Sequence, residues 1–214
     1  MTLKLYGKLG WGSAIIEAQL AWYGLDYAFI NVGDLFEDED ARKELSKINP
    51  VAQIPTLVMD DGSVMTESAA ITLRFADLYP QQSLVPSATD PSRSAFLRWL
   101  MFIIATIYPT YTYGDDPSRF VSLEDAQEPF GEAVLEYGKR MYLILESASK
   151  APWFLGEDFS AIDIYIGVLH HWEPNAPWFR KETPKLSAIA DRVPTQPTIA
   201  ACWMKNFPTE DEQL

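Results

Sequence analysis

Apolar positions in the N-terminal part of the chain follow two alternating periods. Short apolar or alternating runs are typical of strands, whereas apolar residues spaced three and four apart are typical of helices. The pattern predicts strands at Leu3–Tyr6 and Tyr27–Val32, helices at Ser13–Tyr23, Asp38–Ile48 and Glu67–Leu78, and a hairpin of Thr56–Met59 with Ser63–Met65. Because a strand, a helix and a second strand come first, we predict an α/β domain that begins with a βαβ unit.

The rest of the chain has helical spacing only, for example from Phe96 to Ile104. Three prolines and small polar residues between Pro80 and Pro91 are typical of a domain boundary. We therefore predict an α/β domain at residues 1–82, a linker at 83–92 and an all-α helical-bundle domain at 93–214. Its later helices are predicted near Ala161–Trp172, Lys185–Arg192 and Pro197–Asn206.

Composition and charge exclude several classes of protein. The 214 residues are 48% hydrophobic, which is typical of a folded globular chain. A net charge of −13 disfavours nucleic acid as a partner, because binding to phosphates needs clustered Lys and Arg. No apolar run approaches the roughly 18 residues of a membrane span, and no export signal is visible at the start. We predict a cytoplasmic protein without a membrane partner.

Cysteine and histidine are scarce. Cys202 is the single cysteine, so no internal disulfide forms and a reducing compartment is expected. His170 and His171 are the only histidines, which disfavours a His/Cys zinc site, since that needs three or four ligands, and Ser-His-Asp chemistry, since that needs a free, oriented imidazole. No metal is predicted, although an all-carboxylate site stays open.

A proline stands directly before the first hairpin strand, in Gln53-Ile54-Pro55-Thr56. Proline lacks the N–H that a strand interior uses, so the strand is expected to begin there. A cis Ile54–Pro55 bond would turn the Ile54 backbone outward, where an extended peptide ligand can pair with it as an added strand. The alternative is a plain proline at the start of a strand.

Glu67 and Ser68 open the helix that follows the hairpin. The N–H groups and positive dipole end of a helix N-terminus suit a ligand carboxylate, with the Ser68 hydroxyl as a further donor, and Glu67 can accept from a ligand ammonium group. The alternative is that both residues only cap the helix.

The order of these features resembles the cytosolic glutathione S-transferase superfamily. The likeness covers nearly the whole chain and includes Leu25-Asp26-Tyr27, Asn49-Pro50, the Asp60-Asp61-Gly62 turn and Glu67-Ser68-Ala69-Ala70-Ile71. It implies a thioredoxin-like N-terminal domain with a mixed sheet, and glutathione as co-substrate. Gln53, Ile54, Pro55, Glu67 and Ser68 are then the glutathione-binding residues.

A second match lies at Phe154–Asp163, which is similar to the segment before the central helix of that family's second domain. Ser160 and Asp163 have the spacing of a capping box, in which each residue satisfies a backbone N–H at the start of a helix. This motif supports the fold and carries no chemistry.

The resemblance implies a group that stabilises the glutathione thiolate near the start of the first helix. Ser13 is the predicted catalytic residue, because it is the only hydroxyl between Tyr6 and that helix. Tyr6 is the second candidate, and a backbone N–H of Gly12 or Ser13 is the third. Gly12 stands where bacterial beta-type members carry cysteine, which disfavours a mixed-disulfide mechanism.

The family also implies an apolar pocket for the electrophile and a two-fold homodimer. Trp11, Tyr108 and Tyr111 are the predicted pocket residues, although an aromatic stripe is more often part of a core. Lys8, Arg42 and Lys47 are candidates to hold the glycine carboxylate of glutathione, and sequence does not choose among them.

The predicted activity is attack of the glutathione thiolate on a small electrophile. The alternatives within the family are glutathione-dependent isomerisation, dehalogenation and disulfide reduction, since one fold carries several reactions. A non-catalytic binding or regulatory protein on the same scaffold is the alternative from another class.

Overall fold

The computed structural model describes residues 2–208. Strands are β1 (Leu3–Gly7), β2 (Tyr27–Asn31), β3 (Thr56–Val58) and β4 (Val64–Met65). Helices are α1 (Ser13–Trp22), α2 (Glu39–Ser46), α3 (Ser68–Leu78), α4 (Arg93–Phe102), α5 (Tyr108–Gly114), α6 (Glu124–Ala148), α7 (Ala161–Leu169), α8 (Ala176–Glu182), α9 (Pro184–Arg192) and α10 (Ala200–Asn206), with a π-helical segment, Ile103–Ile107, joining α4 to α5. The predicted fold class, a thioredoxin-like α/β part followed by helices, is confirmed.

The four strands form a mixed sheet in the order β2-β1-β3-β4. β1 is parallel to β2 and antiparallel to β3, and β3 is antiparallel to β4. Tyr6 pairs with Thr56, and Leu57 pairs with Met65. The first helix packs on the sheet and on α3, and side chains such as Leu5, Ile15 and Ile71 are completely buried.

The chain divides into two compact units. Among the described residues, one unit contains 2–85 together with 191–208, and the other contains Pro86–Ala190. The division at Val85 falls inside the predicted linker, 83–92. The predicted helical domain covers all of 93–214, whereas the segment from Asp191 to Pro208 lies with the α/β unit, because α10 packs on α1.

The second unit is built around α7. All nine residues of this helix are buried, including Asp163. The predicted capping box is confirmed: the Asp163 carboxylate accepts from the Ser160 N–H at 2.8 Å, and it also accepts from the Phe154 N–H at 2.7 Å. An otherwise apolar helix therefore begins at a fixed residue.

Two helices differ from the prediction. α8 was not predicted, because the prolines and the asparagine around it are typical of a loop; Asn175 caps the helix by accepting from the Trp178 N–H at 3.2 Å. The helix expected at Pro197–Asn206 begins later, at Ala200. None of the helices between residues 2 and 208 is both long and apolar enough to cross a bilayer.

Candidate functional site

Three segments meet at one end of the sheet, which we call the site end. β1 finishes there at Gly7, β3 begins there at Thr56, and β4 finishes there at Met65, as the antiparallel registers require. The loop before α1, the Gln53-Ile54-Pro55 segment and the start of α3 are therefore brought together. Two helix N-termini, those of α1 and α3, follow strands that end at the site end, and each contributes a positive dipole end.

The Ser13 hydroxyl is used inside the fold. Its side chain is completely buried, donates to the Lys8 carbonyl at 3.0 Å and accepts from the Lys8 N–H at 3.1 Å. A Cβ at Gly7 would lie 2.4 Å from the Ser13 Oγ, so glycine is required for this close approach. A thiolate can accept a hydrogen bond from the Ser13 hydroxyl only if the bond from that hydroxyl to the Lys8 carbonyl breaks.

The backbone at the start of α1 offers a different donor set. Within residues 2–208, neither the Gly12 N–H nor the Ser13 N–H has a hydrogen-bond acceptor, as expected for the first N–H groups of a helix. These two groups sit at the positive end of the helix dipole. The arrangement can stabilise a thiolate without any side-chain hydroxyl.

Tyr6 lies on the other face of the sheet. Side chains alternate along a strand, and Gly7 is on the face against which Ser13 packs. Tyr6 therefore points away from the start of α1.

The Gln53–Pro55 segment is held by buried polar side chains. Asn49 is 4% exposed and donates to the Gln53 carbonyl at 2.9 Å and to the Thr56 Oγ1 at 3.0 Å, and the Thr56 hydroxyl also donates to the Gln53 carbonyl at 2.8 Å. The Ile54–Pro55 bond is cis, which is one of the two alternatives that the sequence left open. In the described part of the chain, the N–H and carbonyl of Ile54 have no hydrogen-bond partner, so an extended ligand can pair with both.

Glu67 and Ser68 lie where the other two segments converge. Glu67 is exposed and has φ 61° and ψ 101°, a backbone conformation that is unusual for a residue with a side chain. Such outliers concentrate at ligand sites. Ser68 is the first residue of α3 and is 8% exposed, and its hydroxyl makes no hydrogen bond to any residue between 2 and 208.

One basic residue lies beside this site. The Lys8 ammonium group is 2.5 Å from the Asp34 carboxylate and 4.3 Å from the centre of the Trp11 ring, which packs on Phe36 at 5.0 Å. The hydrogen bond from Lys8 holds the pKa of Asp34 below its ordinary value. Lys47, in contrast, pairs with Glu44 on α2.

In the second unit, Tyr108 and Tyr111 pack against Trp172 with ring centres 5.7 and 5.0 Å apart. The Tyr111 hydroxyl is 2.6 Å from the Tyr142 hydroxyl and donates to the Glu173 carbonyl at 2.7 Å. Burial raises the pKa of all three tyrosines, so none supplies a phenolate at neutral pH.

The second unit also contains a mostly apolar groove of about 340 Å³. It is lined by residues of the π segment, α5 and α6: Ala105, Thr106, Pro109, Thr110, Tyr113, Phe130, Ala133, Val134 and Tyr137.

A buried polar network that the sequence did not predict lies behind the loop before α1. Glu17 on α1 is completely buried, and its carboxylate accepts from the Tyr27 hydroxyl, the Lys205 ammonium group and the Asn206 amide, each at 2.7 Å. Asn206 also accepts from the Gly10 N–H at 3.1 Å. The sequence signal for this network is Glu17 itself, a glutamate inside the apolar run of α1 with no basic residue on the same helix to pair with it.

Cys202 lies beside this network. Burial, and then the Glu17 carboxylate, raise the pKa of its thiol to about 12. The thiol is therefore protonated at neutral pH and is not a nucleophile.

The family model, a relative in sequence and a solved structure that this chain resembles carry the description of one family. The family model described as "Glutathione S-transferase, N-terminal domain" matches residues 15–78. The chain is 37% identical over 206 residues to the uncharacterized GST-like protein YncG of Escherichia coli K12, covering 95% of this chain and 98% of that protein. It is 36% identical over 160 residues to a probable maleylacetoacetate isomerase of Caenorhabditis elegans, covering 72% and 70%. A crystal structure of a glutathione transferase homologue from Sulfitobacter with bound glutathione is 26% identical and has a TM-score of 0.80, covering 94% of this chain and 96% of that one.

Proposed function

The chain belongs to the glutathione S-transferase superfamily, and from that premise we propose that it binds glutathione at the site end of its sheet and transfers the thiolate to a small electrophile. The observation that carries this proposal is the convergence there of two helix N-termini with the unpaired backbone of Ile54. Glutathione offers matching groups: two carboxylates, an ammonium group and an extended peptide backbone.

Each end of the ligand has an assigned partner. The γ-glutamyl carboxylate accepts from the Ser68 hydroxyl at the N-terminus of α3, and the Glu67 carboxylate accepts from the ammonium group. The cysteinyl backbone pairs with Ile54 as an added strand, and the exposed side chain of Gln53 lies next to it. Among the three basic candidates, we assign the glycine carboxylate to Lys8, because Lys8 directly follows the end of β1.

The thiol is activated by the start of α1. We assign the stabilisation of the thiolate to the N–H groups of Gly12 and Ser13 and to the helix dipole, while the Ser13 hydroxyl holds Lys8 in place. The thiol proton passes to solvent. The sulfur lone pair then forms a bond to the electrophilic carbon, and a leaving group departs with its electron pair where the reaction is a substitution.

Membership of the family also supports assignments for the electrophile pocket, the oligomeric state and the location in the cell. We assign Trp11, in the loop before α1, to apolar packing of the electrophile. The Tyr111 hydroxyl is already bound to Tyr142 and Glu173, so it does not act as an acid. We also expect a homodimer in the cytoplasm, which size-exclusion chromatography with light scattering would test for the oligomeric state.

Glutathione-dependent isomerisation is the second candidate, favoured by the 36% identity to a probable maleylacetoacetate isomerase. The two reactions differ in whether glutathione is consumed. Conjugation consumes it, whereas isomerisation releases it unchanged after each turnover.

Calorimetric titration with glutathione tests the proposal. The measurement is made near pH 6.5 in two buffers of different ionisation enthalpy, so that affinity and proton release are obtained together. We expect binding with proton release, and Glu67→Gln should weaken it while Ser63→Ala, in the hairpin turn, should not. Absence of binding at millimolar glutathione overturns the function, and binding without proton release overturns the activation step.

A further inference from the structure

Asn206 connects the C-terminal helix to the loop that leads into α1. The residue is 6% exposed, and its amide group makes three hydrogen bonds: the Nδ2 group donates to the Glu17 carboxylate at 2.7 Å and to the Cys202 carbonyl at 3.0 Å, and the Oδ1 accepts from the Gly10 N–H at 3.1 Å. Because the buried carboxylate requires a donor, the Nδ2 must face Glu17. The Oδ1 must then face the loop.

We propose that Asn206 is a positioning residue that sets the thiol pKa of bound glutathione by fixing the path of Gly10-Trp11-Gly12. The inference rests on the proposed function, in which the Gly12 and Ser13 N–H groups stabilise the thiolate. It adds a residue from the far end of the chain to that site.

The loop needs such an anchor because of its composition. Gly10 has φ +76°, and two of the three residues are glycines, which lose more conformational freedom on folding than any other residue. The contact is close, since a Cβ at Gly10 would lie 3.5 Å from the Asn206 carbonyl oxygen. Movement at Gly10 changes the direction of the Gly12 N–H two residues later.

Lys205 is the matched control. It stands on the same helix and binds the same Glu17 carboxylate at 2.7 Å, and its ammonium group lies 4.4 Å from the centre of the Phe29 ring. Between residues 2 and 208 it makes no hydrogen bond or ion pair to the loop. Lys205→Met therefore disturbs the docking of α10 but keeps the hydrogen bond from the Gly10 N–H to the Asn206 Oδ1, which we call the tether.

Hydrogen exchange on the ligand-free protein tests the tether. In the wild type, we expect the Gly10 amide to be protected although it lies in a loop, a result that needs no variant to fold. In Asn206→Ala, we expect exchange over residues 10–13 to accelerate at least about tenfold, and in Lys205→Met to stay within about twofold of the wild type. An unprotected Gly10 amide in the wild type, or equal acceleration in both variants, overturns the inference.

Titration of the bound thiol by its thiolate absorbance tests the consequence. We expect the pKa of bound glutathione to rise by about half a unit in Asn206→Ala and to be unchanged in Lys205→Met. A loosened loop with an unchanged thiol pKa overturns the inference and leaves the proposed function intact. If the wild type does not bind glutathione, the proposed function has failed, and hydrogen exchange alone decides the tether.

Discussion

At the scale of single residues, the hydroxyl of Ser13 and the hydroxyl of Ser68 have opposite environments. Both residues stand at the first position of a helix, and sequence assigns a ligand role to each. Ser13 is saturated by the Lys8 backbone and packed against Gly7, whereas the Ser68 hydroxyl has no partner among the described residues. The two substitutions to alanine should therefore separate structure from binding.

Ser13→Ala should lower the free energy of unfolding by about 1–3 kcal/mol, because the part-buried Lys8 N–H loses its acceptor. The thiol pKa of bound glutathione should stay at the wild-type value, since the Gly12 and Ser13 N–H groups remain. Urea denaturation and thiolate absorbance measure the two quantities. A raised thiol pKa in this variant would instead return the hydroxyl of Ser13 to the mechanism.

Ser68→Ala should weaken glutathione binding about tenfold, which corresponds to the loss of one hydrogen bond to a charged group. The free energy of unfolding should change little, because no described residue depends on this hydroxyl. Titration calorimetry measures the affinity, with Ser63→Ala in the hairpin turn as the control. Equal affinities for Ser68→Ala and the wild type would remove Ser68 from the site.

At the scale of elements, the sequence predicted a helix or strand correctly where the residues that start and end it lie within that element or next to it. The capping box at Ser160 is the clearest example, since both partners lie within one turn. The sheet strands were predicted for a similar reason: each carries its own apolar run. α8 was missed because its first turn has the composition of a loop, and only the Asn175 cap distinguishes it.

Asp163 should make the stability of the second unit depend on pH. Burial raises the pKa of this carboxyl from 3.8 to about 6. The folded state therefore favours the protonated form more than the unfolded state does. Its contribution to stability is complete below about pH 4 and is lost as the pH rises through 6, by an amount on the order of 2–3 kcal/mol.

In Asp163→Asn this part of the pH dependence should disappear. Urea denaturation between pH 4 and 7 would measure it, with Asp158→Asn as the control for an exposed carboxyl in the same segment. An identical pH dependence in Asp163→Asn and the wild type would contradict the assignment.

At the scale of the whole molecule, the segment from Asp191 onward lies with the α/β unit, which begins the chain. α10 supplies Lys205 and Asn206 to Glu17, and Tyr27 is the remaining partner of that carboxylate. Removing the partners of a buried charge is strongly destabilising.

A chain truncated after Ala190 should therefore lose at least about 3 kcal/mol of stability in the α/β unit. Glutathione binding should be lost with it, because the loop before α1 loses its anchor. Circular dichroism during urea denaturation, together with glutathione titration, would measure both effects. A truncated protein that unfolds and binds like the full chain would show that α10 is dispensable.

Sequence by itself determined the fold class, the strands of the sheet and the cap of α7. These features depend on neighbours along the chain: periodicity, caps, prolines and turns. Tertiary structure decided which groups remain available to a ligand. The saturation of Ser13 by Lys8, the orientation of Tyr6 and the reach of Asn206 to Gly10 and Glu17 depend on close packing between segments, and a hydrogen bond between residues far apart in the chain leaves no periodic trace.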